Sequence, residues 1–125
     1  MGPEAKLYQK VRKNSKGIVW TRLENLSSLG TPDLLGYNSF GTFFTVELKV
    51  TRGNKLKFSP HQIAFHKTHP HNTFIIAAVR GSRGLKLIQM FRGSRIIELA
   101  ASGLELGACH SGLEASLDYL QKLGA

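Results

Sequence analysis

The stretch GTPDLLGYNSFGTFFTVELKVTRGNKLKFSPHQ, residues 30–62, decides the fold of this 125-residue chain. Its centre, residues 43–50, predicts a β-strand, because apolar side chains occupy every second position and successive side chains of a strand point to opposite faces. The apolar face would consist of Phe44, Val46, Leu48 and Val50. Glu47 and Lys49 would then emerge side by side on the opposite face of the same strand.

A second carboxylate precedes this strand. Asp33 follows Pro32 at the start of another predicted strand, residues 33–37, and a turn at residues 38–41 joins the two. Two carboxylates about 4–5 Å apart repel each other by several kcal/mol at an effective dielectric near 20, so they require a cation or a proton between them. Since Lys49 alone cannot satisfy both, the residues predict a divalent-metal site with a basic group beside it.

These motifs resemble the signature of the PD-(D/E)XK nuclease superfamily: Pro-Asp at positions 32–33, a gap of thirteen residues, and Glu-Leu-Lys at positions 47–49. Within the superfamily the chain is most similar to small single-domain Holliday junction resolvases and to stand-alone VRR-NUC nucleases. Gly-Thr at 30–31 and Ser-Pro-His-Gln at 59–62 also resemble the VRR-NUC pattern. The resemblance extends over residues 4–79.

The resemblance implies a restriction-endonuclease-like α/β fold, in which helices flank a mixed central sheet, and a Mg²⁺ site that Mn²⁺ can also fill. Asp33, Glu47 and the backbone carbonyl of Leu48 would hold the metal. Lys49 would orient or deprotonate the attacking water, and Gln62 would contact the scissile phosphate or a metal-bound water. The products would carry a 5′-phosphate and a 3′-hydroxyl.

The family also implies an additional catalytic glutamate on the first helix. Glu4 matches that position, because it lies at the start of the first predicted helix, 29 residues before Asp33. Glu24 is the competing candidate, because it follows the first predicted strand and would lie near the rim of the sheet. We favour Glu4 and leave the alternative open.

Periodicity and breaker residues predict the element order α-β-β-β-α-β-β-α. The predicted helices cover residues 4–15, 60–69 and 111–123, with further helical character from Ser94, and the predicted strands cover residues 18–23, 33–37, 43–50, 74–79 and 85–91. Ser59 and Pro60 form a helix start, with serine at the N-cap and proline at the first helical position. Residues 51–59 are expected to form a flexible connection or a β-ribbon beside the site.

The charge distribution predicts a polyanionic ligand. The net charge is +9, and residues 1–95 contain 16 Lys and Arg against 4 acids, whereas residues 96–125 contain one Lys against 4 acids. The expected phosphate contacts are Arg52, Lys55, Lys57, Arg80 and Arg83. Four histidines at positions 61–71 lack a cysteine pair and cross Pro70, so we expect them at a solvent edge or a DNA-facing helix end and not around zinc.

The leading functional hypothesis is a Mg²⁺-dependent, structure-selective DNA endonuclease that resolves four-way junctions. A flap or fork nuclease, a nickase or an exonuclease of repair or replication is the alternative, and a non-catalytic nucleic-acid-binding domain is a more distant one. Because symmetric cutting of two strands needs two active sites, we expect a homodimer, with the C-terminal leucine stripe or residues 91–106 at its interface.

Length and composition predict one domain over residues 1–125, since the chain is 42% hydrophobic. A single cysteine, Cys109, fits a reducing compartment. The sequence contains neither an apolar run of about 18 residues nor the apolar core of a signal peptide. We therefore expect no membrane association. We expect a cytoplasmic, nucleoid-associated protein of a bacterium or of a phage-infected host. The phage origin is suggested by the compact, stand-alone format of the enzymes that the chain resembles.

Overall fold

A computed structural model of the chain describes residues 2–23 and 29–125. Within them the elements are α1 (Pro3–Asn14), β1 (Ile18–Arg22), β2 (Leu34–Asn38), β3 (Phe43–Thr51), α2 (Pro60–Thr68), β4 (Thr73–Gly81), β5 (Gly84–Arg92), α3 (Ile96–Ser102), β6 (His110–Ser111) and α4 (Leu113–Gln121). Short 3-10 turns, Gly93–Arg95 and Gly103–Glu105, flank α3. No helix among these residues is both long and apolar enough to cross a membrane.

The strands form one mixed sheet in the order β1-β2-β3-β4-β5-β6. β3 and β4 are parallel, with α2 in the crossover between them, and the remaining neighbours are antiparallel. The predicted α/β class and the mixed sheet flanked by helices are confirmed.

Two apolar cores lie on opposite faces of the sheet. In the first, the even-numbered side chains of β3 (Phe44, Val46 and Leu48) pack against α1 and α4. In the second, side chains of β4 and β5 pack against α3 and the loop residue Leu56. β4 is buried from Thr73 to Val79 because it contributes to both cores. β3 is covered on its even-numbered face by the first core, which leaves its odd-numbered face to carry polar residues.

The start of α2 follows the sequence prediction. Ser59 is the N-cap, its hydroxyl accepts a hydrogen bond from the Gln62 backbone N–H (3.1 Å), and the Gln62 side chain accepts one from the Ser59 N–H (2.9 Å). This reciprocal pair is a capping box, which satisfies two otherwise unpaired donors at the helix start. It also fixes the direction of the Gln62 side chain.

Three sequence predictions require correction. The segment 52–59 forms no β-ribbon: Leu56 is buried in the second core, and the Asn54 carbonyl accepts a hydrogen bond from the Leu104 N–H (2.8 Å). The helical pattern predicted from Ser94 onward is interrupted: α3 ends at Ser102 and a 3-10 turn follows, because Gly103 has a φ of +62° and lies against the Asn54 backbone, where a Cβ would collide. The closing helix begins at Leu113 and not at residue 111, because His110 and Ser111 pair with β5.

The surfaces expected at a dimer interface are largely internal. Leu117 and Leu120 of the C-terminal stripe are buried in the first core, and Phe91, Ile96 and Leu99 are buried in the second. Their hydrophobic patterns are therefore explained by packing on the sheet. The buried members of both segments are not available to a second copy, and the interface of the expected homodimer stays a prediction.

Candidate active site

Strand register brings the two acidic residues together. In the antiparallel β2–β3 pair, Leu34 lies opposite Val46 and Leu35 opposite Thr45, so continuing the register by one residue places Asp33 opposite Glu47. Asp33 Oδ2 accepts a hydrogen bond from the Leu48 backbone N–H at 2.7 Å. The segment before β2 is thereby fixed to β3, and the Asp33 carboxyl lies beside Glu47.

Glu47 is a buried acid whose pKa is strongly raised. Its side chain is only 3% exposed, and its Oε1 atom is buried with no hydrogen-bond partner among the described residues. The pKa of Glu47 is raised from 4.5 to about 9, first by burial and then by the charge and the hydrogen bond of Asp33, against the opposing charge of Lys49. In the absence of a cation this carboxyl therefore retains a proton at neutral pH.

Lys49 and Gln62 complete the cluster. The Gln62 amide accepts a hydrogen bond from Lys49 Nζ (3.1 Å) through its oxygen and donates one to Glu47 Oε2 (3.2 Å) through its nitrogen. Lys49 Nζ also lies 4.9 Å from the centre of the Phe58 ring, in a cation–π contact. Gln62 thus links the acid and the amine of β3 and fixes the position of both. An ordinary exposed glutamine on a helix would make no such contacts.

Phe58 is a site residue that sequence reasoning missed. It precedes the N-cap of α2, and an aromatic residue at that position indicates helix-start packing more readily than contact with Lys49. The backbone contact of Asp33 was also missed, because a single sequence does not show which backbone N–H faces a side chain of the neighbouring strand.

The side chains present fit a hard divalent cation. The two carboxylates provide oxygen atoms, which Mg²⁺ prefers, whereas the Gln62 amide directs its nitrogen toward Glu47. The unpartnered Oε1 of Glu47 and the raised pKa of Glu47 mark a place where a cation can replace a proton. Across residues 2–23 and 29–125, no three His, Cys, Asp or Glu side chains form a metal-binding cluster, so the carboxylate pair would need further oxygen donors. The predicted Leu48 carbonyl ligand stays a prediction.

Glu4 lies close enough to the carboxylate pair to affect it. Its charge contributes to the raised pKa of Glu47, as the smallest of the contributions, and its side chain lines the same cleft as Lys49. Glu4 is exposed at the N-terminal end of α1, so it would join the site from the cleft wall. The competing Glu24 lies outside the described residues.

The predicted phosphate contacts fall into two groups. Arg52, Lys55 and Lys57 line the same cleft as Lys49. Arg80 and Arg83 belong to the exposed β4–β5 hairpin. Because Val79 pairs with Thr51, this hairpin lies at the same end of the sheet as Arg52. The basic residues therefore surround one end of the sheet.

The histidine prediction is wrong for one residue. His66 is fully buried on the inner side of α2, and neither ring nitrogen has a hydrogen-bond partner among the described residues. Burial, and secondarily the charge of His69, lowers the pKa of His66 from 6.5 to about 4, so the ring is a neutral core side chain. His61, His69 and His71 are exposed as expected.

The fold is that of the restriction-endonuclease-like α/β class: a mixed sheet flanked by helices, with a parallel crossover through α2. The chain is similar to the 1.6 Å structure of Hjc, a Holliday junction resolvase from the archaeal hyperthermophile Archaeoglobus fulgidus. The TM-score is 0.50 at 19% identity, over 71% of this chain and 72% of that chain. No protein-family model matches the sequence, and no curated protein shows significant sequence similarity to it.

Proposed function

We propose that this chain is a divalent-metal-dependent nuclease of the PD-(D/E)XK superfamily that cuts branched DNA, with the four-way junction as its preferred substrate. The observation that carries the proposal is the convergence of Asp33, Glu47, Lys49 and Gln62, with a Glu47 carboxyl that is buried and incompletely bonded. The similarity in fold to a chain described as a Holliday junction resolvase supports the choice of substrate.

Asp33 and Glu47 are the residues that would hold Mg²⁺. When bound, the ion would supply charge neutralisation at the scissile phosphate and acidify a water molecule. The ammonium of Lys49, positioned by Gln62 and Phe58, would donate a hydrogen bond to the attacking water or to a phosphate oxygen. In the hydrolysis, the water oxygen forms a bond to phosphorus and the bond to the 3′ oxygen breaks, which leaves a 5′-phosphate and a 3′-hydroxyl.

Substrate binding would depend on backbone charge and shape. Arg52, Lys55 and Lys57 provide cations along the cleft, and such contacts position the nucleic acid without reading its sequence. Two symmetric cuts in a junction require two active sites, so we also propose a homodimer on the DNA. Binding through these residues would weaken steeply with salt, because each neutralised phosphate releases counterions.

The test is cleavage of a labelled four-way junction, flap, fork and linear duplex in Mg²⁺ or Mn²⁺, by the parent protein and by Asp33→Asn. Asp118→Asn is the matched control, since Asp118 is exposed on α4 and pairs with Lys122. We expect paired, symmetric cuts in the junction that Asp33→Asn abolishes and Asp118→Asn leaves intact. Cuts confined to the flap or fork would favour the alternative nuclease, and the absence of all cleavage would leave only a binding domain.

A further inference from the structure

The odd-numbered face of the sheet carries an exposed apolar surface at one end. Val19 of β1, Tyr37 of β2 and Phe43 of β3 form this surface, which we call the aromatic patch. Their exposed fractions are 66%, 40% and 59%, respectively. Val19 lies opposite Tyr37, and Tyr37 lies opposite Phe43, so the patch crosses three neighbouring strands. Large exposed apolar residues in such a group mark an interaction site.

The patch and the active site share one face of the sheet. Phe43, Thr45, Glu47 and Lys49 are odd-numbered residues of β3, so their side chains point the same way. At about 3.3 Å per residue, Phe43 lies about 13 Å along the strand from Glu47. The second core covers this face over β4 and β5, whereas the described part of the chain leaves its β1 end open.

The geometry of the rings fits flat aromatic ligands. The Tyr37 and Phe43 ring centres are 4.5 Å apart and their planes are inclined by 46°, so the rings support each other. Both residues are on β-strands, which limits their motion and lowers the entropy cost of binding. Rings presented in this way are the stacking platforms on which proteins hold unpaired bases.

Charge favours nucleic acid over a second copy of the chain as the occupant. The chain has a net charge of +9, and residues 1–95, which contain the patch, hold 16 Lys and Arg against 4 acids. In the absence of DNA, two chains of this charge brought together through the patch would repel each other, whereas a polyanion would be attracted. Because Phe43 lies only about 13 Å along β3 from Glu47, DNA held in the cleft and extending toward this end of the sheet would reach Phe43 within a few nucleotides.

We propose that the aromatic patch stacks unpaired bases of the DNA held in the active site, and so selects substrates with disrupted pairing. This inference rests on the proposed nuclease function. Bases inside an intact duplex hide their faces, so only a branch point, flap or end can offer one to Tyr37 and Phe43. The patch would thus make the enzyme prefer branched over linear DNA, while the basic residues of the cleft supply affinity for both.

The experiment uses binding to a fork that carries 2-aminopurine at an unpaired position next to the branch, in an Asp33→Asn background that lacks the catalytic carboxylate. Phe43→Leu keeps apolar volume but removes the flat ring, and Phe43→Trp restores one. Ile97→Ala is the matched control, because Ile97 is a 53% exposed apolar residue on α3. Thermal melting verifies that each variant is folded, and sedimentation without DNA reports its oligomeric state.

We expect the background protein to quench the aminopurine and Phe43→Leu to lose both the quenching and about fivefold or more of fork affinity. Affinity for linear duplex and the slope of affinity against salt should stay unchanged, because the phosphate contacts remain. Phe43→Trp should restore quenching, and Ile97→Ala should behave as the background.

Two results would overturn the inference. Stacking at Phe43 would be excluded if Phe43→Leu and the background protein bound the fork with equal affinity and quenched the aminopurine equally. The proposed nuclease function would survive that result if the parent protein still cut branched DNA. Conversion of a DNA-free dimer to a monomer by Phe43→Leu, with quenching retained, would identify the patch as an interface between copies.

Discussion

Replacement of Glu47 by glutamine is expected to remove a pH dependence of stability from the metal-free protein. Burial and Asp33 raise the pKa of Glu47 from 4.5 to about 9. Between these two values the folded chain keeps a proton that the unfolded chain releases, so the free energy of unfolding must fall as pH rises. Glutamine has nearly the same shape and does not titrate, and its oxygen can still accept the hydrogen bond from Gln62.

The size of the effect follows from proton linkage. A single group of this kind changes the free energy of unfolding by at most about 1.4 kcal/mol per pH unit. His66 has the opposite effect, but only below its unfolded value of 6.5, so the useful window is pH 6.5 to about 9. Over that window the free energy of unfolding falls by about 3.5 kcal/mol at most, or roughly 10 °C or more in melting temperature for a domain of this size.

The assay is thermal melting at several pH values, in EDTA and in saturating Mg²⁺, with Glu105→Gln as an exposed control. In EDTA the parent and the control should lose stability with rising pH, and Glu47→Gln should lose much less. Mg²⁺ should stabilise the parent, by about 2.7 kcal/mol at a hundredfold excess over its dissociation constant, and should reduce the slope because it replaces the proton. Parallel slopes for the parent and Glu47→Gln in EDTA would refute the reasoning.

Three further variants test the site and the core. Asp33→Asn should reduce the rate of single-turnover cleavage by about 100-fold or more, since changes to groups around metal ligands alone cost 10- to 100-fold. DNA affinity should stay equal or increase. An unchanged cleavage rate would exclude Asp33 from the reaction. Gln62→Leu should lower the free energy of unfolding by about 1 kcal/mol through loss of the capping box. It should also cut DNA much more slowly than a Ser59→Ala variant, which loses the cap alone. Equal cleavage rates for the two variants would reduce Gln62 to a capping role. The parent should lose stability between pH 6.5 and about 4, because the neutral buried ring of His66 gains a proton on unfolding. His66→Leu should lose less stability over this range, as measured by acid unfolding. An equal loss in the variant and the parent would contradict this origin.

The sequence predicted the parts of the fold that depend on local pattern. Alternation in residues 43–50 predicts β3 with one buried face, and Ser59 with Pro60 predicts the start of α2. The sequence also places Asp33 and Glu47 on neighbouring strands joined by a short turn, which predicts that the two carboxylates lie close together. The register that sets them opposite each other comes from the β2–β3 pairing and was not predicted.

Features that depend on tertiary contact were not accessible. The two residues of β6 are too few to form a periodic pattern, and only their pairing with β5 defines them. His66 is a polar residue in a polar segment, and its burial is created by the packing of α2 against Gly93 and Thr73. The contact of Phe58 with Lys49 likewise joins residues from a loop and a strand that meet only in the folded chain.

The central claim is that a divalent cation binds between Asp33 and Glu47, beside Lys49. The most direct measurement is an anomalous difference map from crystals grown or soaked with Mn²⁺, collected for the parent protein and for Asp33→Asn. The account predicts one strong peak in contact with both carboxylates of the parent, and its loss or marked weakening in the variant. A parent map with no peak at these side chains, at a Mn²⁺ concentration that supports cleavage, would contradict the account.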